Sequence, residues 1–463
     1  MNPEGLRQRL AIVSATLLAA ACAVPPTAAD AQGGGYEGGE FGPGTFYTEQ
    51  SSALLIYEEA GGRVMAIEPG ATLTAHGEYG EQLSFGLTID AVSGATPNGA
   101  VPADQSQTFV TPLKIHGSCS TVTTASGGSQ VVCLPPTQGQ LNSAERVYKT
   151  PPNTLPVDKG FSDRRVGFAM SYAQPLGPLS EAGLGAGYSL ERDYQAITAN
   201  GHITQNFNAD DTTLSLSINS EIDSSFPYGG IPAPFSQMDP HFKPVTARQK
   251  TQLGFVVGWT EVVTRNWLMQ LNYSFDSQSG YQTDPYRFIS VVDAVSGEPL
   301  NYLYENRPGS RVSQSGFWEN KFDFGPTVTD LSLRYYKDSW GVVSKTAELS
   351  ERINLGQRSY IEPSARWYEQ SAANFFRYYL TNAQALPGFA SADTRLNAFT
   401  STTFGLKYGL RITPRTELDF SGGYYRQIGN GHPADAIGQL KQQNLFAGTD
   451  AAFFLVGYNW DFH

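Results

Sequence analysis

Trp267-Leu268-Met269-Gln270-Leu271-Asn272-Tyr273-Ser274-Phe275 is the stretch that decides the fold. Trp267, Met269, Leu271, Tyr273 and Phe275 are apolar, and Gln270, Asn272 and Ser274 stand between them. A period of two places the two sets on opposite faces of an extended strand. The same beat recurs at Leu214, Leu216 and Ile218, at Phe404, Leu406, Tyr408 and Leu410, and at Leu418, Phe420 and Tyr424. Such segments run about ten residues and end in Tyr, Trp or Phe, as a lipid-facing barrel wall with aromatic girdles and a polar lumen requires.

Composition agrees. Charged residues make up 16% of the 463, well below the roughly 25% of soluble domains. With 26 Phe, 24 Tyr and 6 Trp, the chain carries far more aromatic surface than a disordered one. It contains no run of about 20 apolar residues, which excludes a helical membrane protein. A net charge of −12 and a pI near 5.0 exclude nucleic acid as a partner, which would need a basic patch.

Punctuation gives the topology. Tight turns are expected near Gly80, Gly177, Ala209, Arg265, Gly325, Gly356 and Pro414, with long connections over 95–163, 223–247, 277–311, 374–396 and 427–447. Short turns at one end and long loops at the other describe an outer-membrane barrel. The expectation is therefore an all-β, transmembrane antiparallel β-barrel of about 16 strands over 51–463, with short periplasmic turns and long external loops. Its last strand ends on an aromatic, Phe462, as the assembly signal read by the barrel assembly machinery does, with His463 trailing it.

Arg7 and Arg9, the apolar stretch Leu10–Val24 and Ala29-Asp30-Ala31 form an export signal over 1–31, followed by a flexible Gly-rich segment over 32–50. Cys22 lacks the leucine three residues before it that a lipoprotein site uses. Cys119 and Cys133 then remain in an oxidising compartment, where a disulfide across their short loop is expected. It would sit in the 95–163 connection, read as an external loop or a plug. Lys321, Asp323, Arg334, Glu348, Arg352, Lys407, Arg411 and Asp419 fall on inward positions and read as a paired lumen ladder.

One motif stands apart. Asp90-Ala91-Val92-Ser93-Gly94-Ala95-Thr96 resembles the site where bacterial flavin transferases attach FMN to threonine through a phosphoester. The acceptor must be a hydroxyl, hence Thr96. Gly94 and Ala95 leave room for a bulky donor, and Asp90 and Ser93 would orient the segment or position a metal-bound donor. The bland reading is a strand end followed by a glycine turn. Asp293-Ala294-Val295-Ser296-Gly297 repeats the first five residues without the Ala-Thr and serves as an internal control.

Leu54–Glu58, Asp90–Pro97, Tyr281–Phe288, Ser290–Pro299, Phe317–Phe324, Leu331–Glu351 and Ile361–Gln370 resemble the outer-membrane family called domain of unknown function 3570. The resemblance implies a barrel in the bacterial outer membrane. It also implies partners: a flavin transferase, a small periplasmic lipoprotein and a thioredoxin-like protein. No nucleophile elbow, zinc-protease helix or phosphate-binding loop occurs, and the six histidines lack metal-ligand spacing, so no enzyme is expected. Phe375-Phe376 and Tyr378-Tyr379 read as rim girdle, and Glu58-Glu59 and Asp210-Asp211 as turn residues. The leading expectation is a barrel bearing FMN on Thr96 in extracytoplasmic electron transfer. The alternatives are a non-redox channel for small solutes and a surface scaffold.

Overall fold

The computed structural model describes residues 47–112, 119–123, 129–133, 145–208, 210–239 and 245–462. Its first strands are β1 (Tyr47–Glu59), β2 (Val64–His76), β3 (Gln82–Pro97), β4 (Gln107–Pro112), β5 (Cys119–Thr123), β6 (Ser129–Cys133) and β7 (Glu145–Thr150). Next come β8 (Val157–Gly177), β9 (Ser180–Leu190), β10 (Tyr194–Phe207), β11 (Thr212–Ser225), β12 (Arg248–Thr264), β13 (Trp267–Gly280), β14 (Phe288–Val292) and β15 (Pro299–Tyr304). The last are β16 (Ser310–Asp323), β17 (Thr327–Asp338), β18 (Val343–Asn354), β19 (Ser359–Gln370), β20 (Leu380–Thr381), β21 (Phe399–Thr413), β22 (Thr416–Gly429) and β23 (Thr449–Phe462).

Sixteen of these strands close an antiparallel barrel, with β1 paired to β23. Closure removes the sheet edges that hydrocarbon cannot solvate. Every expected tight turn joins two barrel strands, and every expected long loop leaves from the opposite end. The export signal and His463 lie outside the described residues, as do His116 and His241.

β12 shows why the sequence must fold this way. Leu253, Phe255, Val257 and Trp259 are exposed, whereas Gln252, Val256 and Thr260 are buried. Leu253 is 58% exposed and Val256, three residues on, is 2%. The exposed set continues sideways through Leu216 and Ile218 on β11 and Leu271 and Tyr273 on β13. A belt of this kind is stable only against lipid. At the short-turn end the Trp267 ring stacks on Phe322 at 5.8 Å, and Phe322 on Phe324 at 6.4 Å, forming an interfacial girdle. On the inner face, a side chain at Gly254 would collide with Asn219 Oδ1 at 2.6 Å, so glycine there lets polar neighbours lie flat on the wall. This is the architecture of a bacterial outer-membrane β-barrel.

The long connections do not stand apart from one another. They fold together into a cap. β14, β15 and β20 make a three-stranded sheet, and β4 pairs with β7. Phe109 packs with Ala100, Phe288 and Tyr304, while Val101, Val292, Ala436, Leu440 and Leu445 form a second cluster. Ile289, Leu303, Ala390 and Ala392 form a third. These residues come from connections after the third, ninth, thirteenth and fifteenth barrel strands. Sixteen strands enclose a ring roughly 30 Å across, so the contacts run across the mouth.

Three expectations are corrected here. Phe375 and Phe376 are buried with Trp340, Val342 and Leu396, and Tyr378 packs against them. They are cap core and not rim girdle, because the 371–398 connection turns inward over the mouth. Glu58 and Glu59 end β1 and do not lie in a turn, and Glu59 is held by Arg63 at 2.6 Å. Finally, β1 begins at Tyr47, so barrel pairing to β2 and β23 already takes in residues 47–50.

Candidate functional site

The flavin-like motif lies on β3, which ascends from the short turn at 77–81 and ends at the capped mouth. Asp90 to Pro97 remain strand throughout, paired to β2 as far as Gly94 and to β8 as far as Pro97, so the glycine-turn reading is corrected. Cross-strand pairing keeps the segment extended where Gly94 alone suggested a turn. Likewise the connection expected at 95–163 is narrower, since β8 resumes at Val157.

Strand parity separates the motif residues. Asp90 faces Arg165, whose guanidinium lies 3.8 Å from it and 3.8 Å from Glu68. Ser93, an odd number of residues away, is exposed on the other face. The two therefore do not converge on Thr96. Gly94 has φ +146°, and a Cβ there would overlap the Arg63 carbonyl, which also accepts the Ala95 N–H. Glycine is thus demanded by the approach of the β2 backbone. A bulge between Gly94 and Thr96 sets Thr96 opposite Asp158.

Beyond Thr96 the chain is fastened into the cap. The Pro97 carbonyl accepts from Arg287 Nη1 at 2.8 Å. Asn98 is buried, donates to the Tyr148 hydroxyl at 3.0 Å, and its carbonyl accepts from the Phe288 N–H at 2.8 Å. The control segment behaves differently. Asp293 Oδ1 accepts from the N–H groups of Ser296 (2.9 Å) and Val295 (3.0 Å), making the β14–β15 hairpin turn with Gly297 at φ +74°. Those backbone donors, Ser296 foremost, hold the Asp293 carboxyl below its ordinary range. One pentapeptide therefore takes two conformations, chosen by its pairing partners.

Thr96 has the hydroxyl that a flavin phosphoester needs. Among the described residues no hydrogen bond involves its hydroxyl, and the next residue's carbonyl accepts from Arg287, whose charge is met by Asp284 and Asp393. Asp158 opposite is the adverse neighbour. The residue types fit. Thr96 is paired on one side only, to β8, because β2 pairing ends at Gly94.

Five of the eight ladder residues meet opposite charge, while Arg334 lies over the Phe317 ring at 5.3 Å and Asp323 accepts from the Gly325 N–H at 2.7 Å. Lys321 meets Asp330 at 3.1 Å, Arg352 meets Glu362 at 3.6 Å, Arg366 meets Glu348 at 3.8 Å and Lys407 meets Asp419 at 4.0 Å. Arg352 also stacks over the Tyr360 ring at 3.6 Å. The backbones of Cys119 and Cys133 are directly opposed in the β5–β6 hairpin; their side chains lie outside what is described.

Two features escaped sequence reasoning. Asp163, Glu191 and Asp193 bring carboxylate oxygens within 4.8 Å of one another at the rim. Burial, then Asp163, pushes Glu191 up to about 7. The second is a set of buried ion pairs in the cap. Asp393 takes Arg395 Nη2 at 2.6 Å, Arg307 Nη2 at 2.8 Å and Arg287 Nε at 3.2 Å, while Arg307 Nε meets Glu305 at 2.7 Å. Burial alone would raise the Asp393 carboxyl, but the three guanidiniums outweigh it and hold it well below the usual range. No sequence spacing marks either set: the first joins Asp163 on β8 to the β9–β10 turn, and the second joins two long connections.

The model of the family described as Protein of unknown function (DUF3570) matches residues 14–460. No curated protein matches the sequence. Solved structures with a similar path include CdiB from Acinetobacter baumannii, at 8% identity and TM-score 0.43, covering 89% of this chain and 60% of that one. The outer membrane protein opdK from Pseudomonas aeruginosa matches at 9% identity and TM-score 0.38, covering 90% and 99%. The ferric enterobactin receptor PfeA matches at 12% identity and TM-score 0.40, covering 83% and 55%. The chain thus spans about three fifths of the length of CdiB and just over half that of the PfeA receptor.

Proposed function

We propose, for a chain that belongs to the family described as Protein of unknown function (DUF3570), an outer-membrane barrel that carries FMN covalently on Thr96 and takes part in extracytoplasmic electron transfer. The observation that carries the reading is the Asp90–Thr96 motif ending on a hydroxyl at the capped mouth, one residue from the carbonyl held by Arg287. A bound flavin would supply one- and two-electron redox chemistry. The chain's own residues would do the rest: Thr96 anchors, and the cap shields the site from the outer solution.

Thr96 lies at one end of a bilayer core about 30 Å thick. A second carrier is therefore part of the proposal, in the form of a small periplasmic lipoprotein or a thioredoxin-like protein. A flavin transferase would act on the exported chain before the barrel assembly machinery closes it. The paired, polar lumen favours a second reading, a non-redox channel for small solutes. Intact mass decides between them. Protein coexpressed with its flavin transferase should gain one FMN, and Thr96→Ala should gain none. An unmodified wild-type chain under those conditions removes the redox reading and leaves the channel.

A further inference from the structure

The centre of the cap is built from charge, although its surroundings are apolar. Glu305 and Asp393 are each 1% exposed. Arg287, Arg307 and Arg395 face them, and Asp284 completes a balance of three cations and three anions: it lies 3.1 Å from Arg287 and 3.6 Å from Arg395. The Asp284 N–H donates to Glu305 Oε1 at 2.9 Å, and the Ser391 hydroxyl donates to Glu305 Oε2. This network joins the 281–309 connection to the 371–398 connection, and Arg287 ties both to Pro97 at the end of β3. It therefore bridges chain segments rooted on opposite sides of the mouth.

A permanent plug would be more stable with apolar side chains at that place, because each buried ion loses its hydration. Charge is tolerated only while the set is complete, since loss of one member leaves another buried and unpaired. Two conditions are then stable. In one every group is paired, with Glu305 and Asp393 dry; in the other the segments separate and every group is in water. Partial opening is disfavoured, which makes the arrangement bistable.

We infer that the cap is a gate, and that Asp284, Glu305 and Asp393 with Arg287, Arg307 and Arg395 are its latch. The inference does not depend on flavin at Thr96. Single-channel recording of the purified full-length barrel in planar bilayers tests it. Wild-type protein is expected to stay closed most of the time. Asp393→Asn leaves three guanidiniums against two carboxylates and should raise the open probability on the order of a hundredfold. Arg395→Gln removes the same pair from its solvent side and should open the barrel likewise, which covers the case where Asp393→Asn fails to assemble. Heat-modifiable gel mobility reports assembly. Assembled variants as silent as wild type, or a freely conducting wild type, overturn the inference. Failure of both variants to assemble assigns the network to folding alone and overturns it too.

Discussion

Replacing Val257 by arginine puts a guanidinium into hydrocarbon, if the outer wall faces lipid. Val257 sits at the middle of the 17-residue β12, 46% exposed, between Leu216 and Tyr273 on the flanking strands. At the bilayer midplane such a substitution costs about 2–4 kcal/mol, falling to about 0–1 near the interface. Leu253 lies on the same face four residues nearer the mouth. With a rise of about 3.4 Å per residue and a tilt of about 40°, that is about 10 Å along the membrane normal. It is near the edge of an apolar band about 25 Å tall. Leu253→Arg should therefore cost about 2–3 kcal/mol less than Val257→Arg, a ratio of roughly 30- to 150-fold in the folding equilibrium. Reversible urea unfolding in lipid vesicles, read by tryptophan fluorescence, measures both. Equal costs at the two positions, or a cost under about 1 kcal/mol at Val257, would refute a lipid-facing β12.

Gly94→Ala should destabilise the barrel by at least ~1 kcal/mol in the same assay, since the new methyl meets the Arg63 carbonyl and φ is positive. Gly325→Ala, at a turn with open space around it, pays only the φ penalty and should cost less. The raised Glu191 carboxyl binds its proton more tightly folded than unfolded. Its contribution is full below the unfolded value near 4.5 and is lost as pH rises toward about 7. Thermal melts should thus show a stability loss between pH 4.5 and 7 that Glu191→Gln diminishes, and identical profiles would contradict the assignment. Mass spectrometry after alkylation should find Cys119 and Cys133 blocked until reductant is added, whereas free thiols in the untreated protein would dismiss the disulfide.

The wall was legible because its rule is local. Leu214, Leu216 and Ile218 repeat at the spacing that sets a strand's faces, and one buried face fixes the register for the whole strand. Turns at Gly80, Gly325 and Pro414 were legible for the same reason. The cap was not, because Phe375, Leu440 and Val101 carry no periodicity that says what they pack against. Arg287 and Arg307 meet Asp393 only after two connections fold over one another. The Asp-Ala-Val-Ser-Gly pair shows the limit most clearly. Identical residues make strand at Asp90–Gly94 and a hairpin turn at Asp293–Gly297, so the decision lies in their neighbours. Of the candidate site, the Asp90–Thr96 motif and its terminal hydroxyl were readable in the sequence. The opposed faces of Asp90 and Ser93, and the backbone contact that demands Gly94, were not.

Lipid contact along β21 tests the barrel most directly. Single cysteines placed in turn from Phe404 to Gly409, labelled with a fluorophore, are reconstituted with lipids brominated along their acyl chains. Phe404, Leu406 and Tyr408 face outward, while Gly405, Lys407 and Gly409 face the lumen. Strong quenching at the first three positions and weak quenching at the other three is the predicted result. Quenching that does not alternate with residue number contradicts a membrane-spanning wall.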